Sequence, residues 1–484
     1  MSDSSTMLTT GKKSFYITTT LPYVNAEPHI GFAYEILVAD IIARQKLLME
    51  EDVFFNTGTD EHGQKIYEAA AKAGEEIESY VERYAREFKK LKEVLGLSND
   101  LKFIRTSEKR HIKAAQELWR RCKHDIYEKE FEGLYCVGCE RFLSQRDMEN
   151  GKCAIHQTEP QLLKEKNWFF KFKKYEKDLL KYLENPKVII PDWRREEAIN
   201  FVKEGLEDFS VSRDKSRLSW GISVPDDNTQ VIYVWFDALT NYISTLGWPD
   251  EEGDFKKFWL EGHTLQLAGK DQVRFQSLMW QAMLISAGIK NTDQVFYHGF
   301  INSGGQKMSK SIGNVISPVE MVERYGTDAT RYLLLRHVHP FEDTDVTWER
   351  LDEWYNADLV NGLGNLVARI MQMASQYLND SVDTSDVREM PEVNKFIESF
   401  ELNRAVFSIW SYIADLDEQI QYSKPFELIK TDKINAQKQV IFLVKELERI
   451  ARNIRVFMPD TSAKIQQTIK SNKKPENLFP RINA

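Results

Sequence analysis

The feature that most constrains the fold is an apolar strand followed directly by a loop and a helix near the start of the chain. Residues 14–21, SFYITTTL, are β-branched and aromatic, which predicts a buried strand. Residues 22–25, PYVN, interrupt this strand, and Pro28 suits the first turn of a helix. From His29 onward, apolar residues recur at helical spacing. This order predicts the first βα unit of a parallel nucleotide-binding sheet, with the helix start as an anion site.

Further segments predict more of the same sheet. Residues 53–56 form a predicted strand that leads into the polar run TGTDEHG at 57–63, and ligands bind at such strand ends in α/β folds. Residues 230–237, QVIYVWFD, predict another strand, and a helix is predicted at 272–285. Residues 294–300 predict the strand before a lysine-rich loop. The fold class that follows is α/β with a parallel sheet.

The lysine-rich loop spans residues 300–318, FINSGGQKMSKSIGNVISP. Lys307, Ser309 and Lys310 offer donors for phosphate oxygens. The glycine pair ahead of them would let the loop move over a bound nucleotide. Taken alone, a short basic run of this kind is more typical of an exposed turn.

A spaced set of cysteines and a histidine predicts a metal site. Cys136 and Cys139 are separated by two residues, as are Cys153 and His156. Two such pairs on tight turns can place four ligands at the corners of a tetrahedron, which is the geometry of structural Zn²⁺. Four protein ligands leave no open position, so the metal is expected to hold the fold and not to act on substrate. Cys122 lies outside the pattern and is predicted to be a buried thiol.

The last part of the chain is predicted to be helical. Amphipathic patterns predict helices of a bundle at residues 356–377, 393–421 and 434–457. Asn361, Asn365 and Arg369 recur every four residues, so they would share one helix face. A polar face of this kind is usually only solvated. It could also pair with splayed bases of a single-stranded RNA loop.

Composition excludes several classes of protein. A formal net charge of −9 provides no global basic field, so any RNA contact must depend on local patches of lysine and arginine. The sequence has no apolar run near the roughly 20 residues of a membrane span and no apolar signal segment at its start. We therefore expect a cytoplasmic protein of roughly three domains. We also expect a monomer, because the chain has no appended segment beyond residues 479–480.

Several of these segments together resemble the signatures of class I aminoacyl-tRNA synthetases. PHIG at 28–31 resembles the first signature, and KMSKS at 307–311 resembles the second. TLPY at 20–23 and TGTDEHG at 57–63 resemble the methionyl-tRNA synthetase family in particular. The resemblance runs from about residue 14 to residue 465, with the motifs in the order of the family.

The resemblance implies an architecture and its boundaries. A Rossmann-type catalytic domain would be split by a connective insert that carries a zinc knuckle, and a C-terminal α-helical bundle would bind the anticodon. The implied segments are the first catalytic half at 1–118, the insert at 119–228, the second catalytic half at 229–350 and the bundle at 351–484. This insert is much shorter than the editing domains of the isoleucine, valine and leucine enzymes, so no separate editing domain is expected.

The resemblance also implies an activity and the residues that perform it. The activity is ATP-dependent attachment of methionine to tRNA(Met) through methionyl-adenylate, with Mg²⁺ accompanying ATP and one structural Zn²⁺ per chain. His29, Lys307 and Lys310 would be catalytic, and Gly31 and Ser309 would also contact ATP. The implied methionine pocket consists of Leu21, Tyr23, Asp60, Trp235, Ala238 and Tyr242, with Asp60 holding the ammonium group. The implied anticodon-binding residues are Asn361, Asn365, Arg369 and Phe426.

The chain departs from the family at four positions. Phe32 replaces the second histidine of the first signature, and Phe426 replaces a tryptophan that commonly stacks on a base. Gln272 and Gln276 stand where the family usually has an apolar residue and a histidine. Two alternatives therefore remain: a non-catalytic tRNA-binding protein on a synthetase scaffold, or a class I synthetase of another specificity. A cysteine enzyme would need zinc within its amino-acid pocket, whereas this Cys/His set lies in one insert.

Overall fold

The structure, a computed structural model, describes residues 12–139, 141–143, 145–155, 157–308 and 313–482 of the 484-residue chain. Three predicted site residues, His156, Ser309 and Lys310, lie outside these described residues. The chain forms two compact units. The first comprises the described residues of Met1–Glu27, Lys46–Lys90 and Asn99–His298, and the second those of Pro28–Gln45, Leu91–Ser98 and Gly299–Ala484.

A six-stranded, all-parallel sheet organises the first unit. Across the sheet the strands are Lys102–Arg105, Asp52–Thr59, Ser14–Thr18, His263–Gly269, Gln294–His298 and Ile189–Ile190. The next two strands in the sequence, Asp52–Thr59 and Lys102–Arg105, lie on one side of Ser14–Thr18, and His263–Gly269 lies on its other side. The strand order therefore reverses at the first strand, and α/β sheets bind ligands at the carboxyl ends of the strands at such a reversal. The parallel sheet confirms the predicted fold class.

Three of the four predicted strands are confirmed, as Ser14–Thr18, Asp52–Thr59 and Gln294–His298. The strand predicted at 230–237 is wrong in its second half, because strand Asp227–Ile232 ends there and Val234–Leu239 is a helix. Asp227–Ile232 pairs antiparallel with Ser212–Asp214 and Ser223–Val224, outside the parallel sheet. Most side chains of Val234–Leu239 are buried. Tertiary packing therefore overrides the strand propensity of its β-branched and aromatic residues.

A mostly antiparallel region lies in the chain between strands Lys102–Arg105 and His263–Gly269. Its four-stranded sheet has the order Phe209–Ser210, Gln161–Phe170, Ile126–Cys136 and Arg141–Leu143. A short hairpin pairs Met148–Glu149 with Lys152–Cys153. Ile189–Ile190 from the same stretch returns to the parallel sheet beside Gln294–His298. The domain boundaries given above stay predictions.

The first unit contains eight α-helices of 4 to 18 residues among its described residues. Its α-helices are Gln64–Ala73, Ile77–Val94 (whose end belongs to the second unit), Lys109–Cys122, Glu176–Leu183, Asp192–Lys203, Val234–Leu239, Asn241–Ser244 and Trp280–Ser286. Its 3₁₀ turns are Lys123–Asp125, Gln145–Asp147, Phe172–Tyr175 and Lys270–Gln272, and its π-helical stretches are Phe255–Leu260 and Val273–Met279. The helix predicted at 272–285 is thus a π-helical stretch followed by an α-helix. Cys122 is a buried thiol, as predicted, and burial raises its pKa to about 12.

The second unit is helical, which confirms the predicted bundle. Its α-helices are Ile30–Leu48 (whose end belongs to the first unit), Pro318–Tyr325, Thr327–His337, Trp348–Trp354, Asn365–Tyr377, Pro391–Glu398, Leu402–Ser423, Pro425–Leu428, Lys433–Ile454 and Pro459–Ser471, with a π-helical stretch at Tyr355–Gly364. A small sheet pairs Ile301–Ser303 with Gln306–Lys307 and with Thr344–Asp345. Among the helices that the structure describes, none is long and apolar enough to cross a membrane.

A buried ion pair lies inside the second unit. The Arg331 Nη2 atom lies 2.8 Å from Asp40 Oδ2, and neither side chain is exposed to solvent. Arg331 also donates hydrogen bonds to the carbonyls of Leu95, Val456 and Phe457. A buried charge is tolerated only when it is paired and hydrogen-bonded, and these bonds satisfy the guanidinium. Through them Arg331 connects its own helix to three separate segments of the chain.

Candidate active site

The turn before helix Ile30–Leu48 is built around the imidazole of His29. Its Nδ1 atom accepts a hydrogen bond of 3.0 Å from the Gly31 N–H, and the Phe32 N–H donates to the His29 carbonyl at 3.1 Å. A Cβ atom added to Gly31 would lie 2.8 Å from Cε1 and 2.9 Å from Nδ1 of His29. Glycine therefore allows the imidazole to lie against the first turn of the helix. The backbone N–H groups and the dipole of a helix start favour a phosphate at this place.

The lysine-rich loop is tied to the same turn. The Ile30 N–H donates a hydrogen bond of 3.1 Å to the carbonyl of Ile316, which follows the KMSKS motif. Desolvation by the surrounding protein lowers the pKa of His29, even though its side chain is exposed, and the positive charge of Lys307 lowers it further. The first signature and the described part of the lysine-rich loop therefore lie together in the second unit. Ser309 and Lys310 follow Lys307 but lie outside the described residues.

A glycine turn presents Lys307. Gly304 and Gly305 join strand Ile301–Ser303 to strand Gln306–Lys307, with φ angles of +64° and +73°. Backbone in this left-handed region favours glycine, which explains the glycine pair. The Gly305 N–H donates a 2.7 Å hydrogen bond to Asp345 Oδ1. The hairpin is thus anchored on one side, with the lysine at its end.

Aromatic rings of the first unit form a second candidate site. Trp235 stacks on Phe275 with ring centroids 3.9 Å apart, and Tyr23 meets Trp235 edge-on at 6.3 Å. The Tyr242 hydroxyl accepts a 2.7 Å hydrogen bond from Nε2 of the buried Gln276. Aromatic faces of this kind pack well against a polarisable thioether. The amide of Gln276 therefore orients a tyrosine of the predicted methionine pocket.

The remaining predicted pocket residues lie next to these rings. Asp60 is 3% exposed and pairs through its backbone with the segment of Tyr23: its N–H donates to the Pro22 carbonyl at 3.0 Å. Ala238 is buried on the same short helix as Trp235. Leu21, two residues before Tyr23, is partly exposed. The predicted pocket residues thus come from two neighbouring strand ends and two short helices of one unit.

A buried polar chain in this unit escaped the sequence analysis. His62 Nδ1 lies 2.7 Å from Asp237 Oδ2, and His111 Nε2 lies 2.7 Å from Asp237 Oδ1. The Ser244 hydroxyl lies 2.8 Å from His111 Nδ1. Burial alone would raise the pKa of Asp237, but the nearby His62 and the hydrogen bonds from both imidazoles lower it. One signal was present in the sequence, since a lone aspartate in an apolar run requires a buried partner.

Three thiols of the antiparallel region lie together. The sulfur atoms of Cys136, Cys139 and Cys153 all lie within 4.8 Å of one another, and those of Cys139 and Cys153 are 3.5 Å apart. They come from a strand end, the turn after it and the facing hairpin. None of these three cysteines forms a disulfide, and a donor set of three sulfurs fits a tetrahedral metal ion that takes one further ligand. The predicted fourth ligand, His156, lies outside the described residues.

The thiol cluster touches the aromatic site. The indole N–H of Trp235 donates a hydrogen bond of 3.4 Å to the carbonyl of Cys139. The same indole stacks on Phe275 and contacts Tyr23. The position of the pocket tryptophan therefore depends in part on the turn that carries the thiols.

Most of the predicted anticodon-binding residues line one cavity in the second unit. Asn365, Arg369 and Phe426 contribute to a cavity of about 550 Å³, to which Lys474 adds a further positive charge. Arg369 is ion-paired with Asp417, which holds its guanidinium in place. A base that entered this cavity would meet an amide, a guanidinium and an aromatic ring, which are the groups that read unstacked bases.

Asn361 lies apart from this cavity lining. Its side-chain oxygen accepts a 2.6 Å hydrogen bond from Arg481. It belongs to the π-helical stretch Tyr355–Gly364, where the backbone turn is wider than in an α-helix, so a spacing of four does not keep residues on one face. A Cβ atom added to Gly364 would lie 2.9 Å from the Leu359 carbonyl oxygen, and glycine therefore suits this wider turn.

This chain is similar to known proteins both in its sequence and in its fold. The family model of class I tRNA synthetases (M) matches residues 15–149 and 144–371. A methionine–tRNA ligase of Fusobacterium nucleatum is 38% identical over 96% of this chain and 76% of its own length. That of Brucella suis is 36% identical over 94% of this chain and 91% of its own length. The solved methionyl-tRNA synthetase of Mycobacterium tuberculosis in complex with methionyl-adenylate superposes with a TM-score of 0.89 at 34% identity, covering 97% of this chain and all of that one.

Proposed function

Because this chain belongs to the methionyl-tRNA synthetase family of class I aminoacyl-tRNA synthetases, we propose that it attaches methionine to tRNA(Met) in two steps. In the first step, a carboxylate oxygen of methionine attacks the α-phosphorus of ATP, which is supplied as its Mg²⁺ complex. The bond from that phosphorus to the β-phosphate oxygen breaks, so methionyl-adenylate and pyrophosphate form. In the second step, a ribose hydroxyl of the 3′-terminal adenosine attacks the adenylate carbonyl, loses its proton and displaces AMP.

The observation that carries this proposal is the hydrogen bond between the first signature and the lysine-rich loop in the second unit. The Ile30 N–H binds the carbonyl of Ile316, and the charge of Lys307 is close enough to lower the pKa of His29. We assign His29, Lys307 and Lys310 to the developing charge of the pyrophosphate, and Gly31 and Ser309 to further ATP contacts. Positioning and charge stabilisation can supply most of the rate enhancement, so no covalent enzyme intermediate is required.

We assign the aromatic site of the first unit to methionine. The stacked Trp235 and the neighbouring Tyr23 and Tyr242 would enclose the thioether, and Asp60 would bind the ammonium group. Leu21 and Ala238 would complete the apolar wall. The buried Gln276, which stands where the family usually has a histidine, donates a hydrogen bond to the Tyr242 hydroxyl.

We assign Zn²⁺ to the thiols of Cys136, Cys139 and Cys153, with His156 as the fourth ligand. Bound there, Zn²⁺ would hold the turn and hairpin together, and with four protein ligands it would have no open position for a substrate. This turn belongs to the proposed insert at 119–228, between catalytic halves at 1–118 and 229–350. The proposed anticodon-binding bundle is 351–484.

The cavity with Asn365, Arg369 and Phe426 is the proposed anticodon site. Phe426 keeps an aromatic surface on which a base can stack, although its face is smaller than that of a tryptophan. Asn361, which is bound to Arg481, would reach the RNA only after that hydrogen bond opens. A monomeric state and a cytoplasmic location stay predictions, and sedimentation analysis would test the first.

Amino-acid-dependent ATP–pyrophosphate exchange tests the proposed function. Exchange that depends on methionine is the expected result. Exchange with a different amino acid would indicate another specificity, and no exchange with any amino acid would indicate a non-catalytic tRNA-binding protein. Charging of tRNA(Met) with labelled methionine then tests the second step.

A further inference from the structure

A single buried carboxylate joins two segments of the amino-acid pocket. Asp237 lies on helix Val234–Leu239, between Trp235 and Ala238, and its two oxygen atoms each meet one imidazole at 2.7 Å. His62 and His111 are 5% and 0% exposed, and Asp237 is fully buried. An ionised carboxylate only accepts hydrogen bonds, so both imidazoles donate to it.

The imidazole of His62 connects this carboxylate to the turn that carries Asp60. The backbone N–H of His62 donates to Asp60 Oδ1 at 3.4 Å, and the imidazole ring packs against Trp220 with centroids 5.4 Å apart. The indole N–H of Trp220 in turn donates to the Glu61 carbonyl at 2.5 Å. The turn of residues 60–62 is thus held on two sides.

We propose that Asp237 is a positioning residue for methionine binding, which it serves by fixing the Asp60 turn relative to the helix of Trp235. This inference rests on the proposed function, because it assigns the pocket to methionine. Asp60 and Trp235 would bind opposite ends of the amino acid, the ammonium and the side chain. Their separation therefore has to match one substrate, and the hydrogen bond between His62 and Asp237 sets it. A loose connection would weaken methionine binding without altering the ATP-binding residues of the second unit.

The test compares variants that break this connection with variants that keep it. His62→Ala removes the donor, whereas His62→Asn places an amide N–H close to the position of Nδ1 and preserves it. We expect His62→Ala and Asp237→Asn to raise the KM for methionine about tenfold, the usual effect of an unsatisfied buried group. The KM for ATP should stay within about twofold of wild type, and His62→Asn should restore most of the methionine affinity.

Ser244→Ala is the matched control, because it removes only the hydrogen bond at the far side of His111. It should leave both KM values unchanged. Direct titration of methionine by calorimetry, without ATP, provides a second readout that does not need catalysis. It also applies if a variant is folded but inactive.

Two results would overturn the proposal. One is an equal rise of both KM values, and the other is a methionine affinity in His62→Ala that equals that of wild type. If Asp237→Asn does not fold, the pair of His62 variants decides the question. Failure of the proposed function would look different, since the wild-type protein would then show no methionine binding or exchange at all.

Discussion

Replacing Gly31 by alanine separates the contribution of His29 to catalysis from its contribution to stability. The added Cβ atom would lie 2.8 Å from Cε1 and 2.9 Å from Nδ1 of the imidazole, distances that the ring can relieve only by moving. The ring then loses its 3.0 Å hydrogen bond from the residue 31 N–H, which costs about 0.5–1.5 kcal/mol. Alanine in a helix is more favourable than glycine by about 1 kcal/mol. The two effects nearly cancel, so the free energy of unfolding should change little.

The rate should change much more than the stability. A preorganised donor that is moved out of place typically costs about 100-fold in rate. We therefore expect methionine-dependent pyrophosphate exchange to fall about 100-fold in Gly31→Ala, while thermal unfolding stays within a few degrees of wild type. Gly362→Ala is the matched control, because its added Cβ would have no atom closer than 3.6 Å. A folded Gly31→Ala protein with an exchange rate near that of wild type would refute the proposed role of His29.

Four other perturbations have defined outcomes. Lys307→Ala should raise the pKa of His29 toward its ordinary value of about 6.5, because it removes a positive charge that lowers this pKa. NMR titration of the imidazole would measure the change. Arg369→Ala should raise the KM for tRNA about tenfold with unchanged pyrophosphate exchange, and equal damage to both activities would contradict the assignment. Chelation of the proposed Zn²⁺ should change the tryptophan fluorescence of the protein, because the indole of Trp235 donates to the Cys139 carbonyl, and added Zn²⁺ should reverse the change. Asp237 has a lowered pKa, so its stabilisation is complete above about pH 4 and is lost as the pH falls through the folded-state pKa; the urea-unfolding difference between wild type and Asp237→Asn should therefore shrink on acidification.

Local patterns predicted the elements whose spacing is regular. The strand at residues 14–18, the helix after His29 and the helix at Lys433–Ile454 follow from periodic apolar residues. The helix predicted at 393–421 is wrong in its first part, because Pro391–Glu398 and Leu402–Ser423 are separate helices. The thiol cluster followed from spacing as well, since two short Cys/His pairs are separated by one longer stretch. These features depend on residues that are close together in the sequence, so a single sequence is enough to recognise them.

Tertiary packing decided what local patterns left open. Residues 234–239 look like a strand but form a helix, because burial around Phe236 stabilises a conformation that β-propensity disfavours. The strand Ile189–Ile190 is too short to be recognised by periodicity and exists only through its pairing with Gln294–His298. Likewise, the partners of the two carboxylate oxygens of Asp237 are His62 and His111, each more than a hundred residues away in the sequence.

The amino-acid sequence by itself therefore determined the family, the parallel nucleotide-binding sheet and the chemical groups available for catalysis. The tertiary structure alone decided which of these groups meet: Ile30 with Ile316, Trp235 with Cys139, and Asp237 with two histidines. The physical reason is that local conformation depends on short-range sterics and periodic burial, whereas contacts between distant residues depend on the register and packing of whole elements.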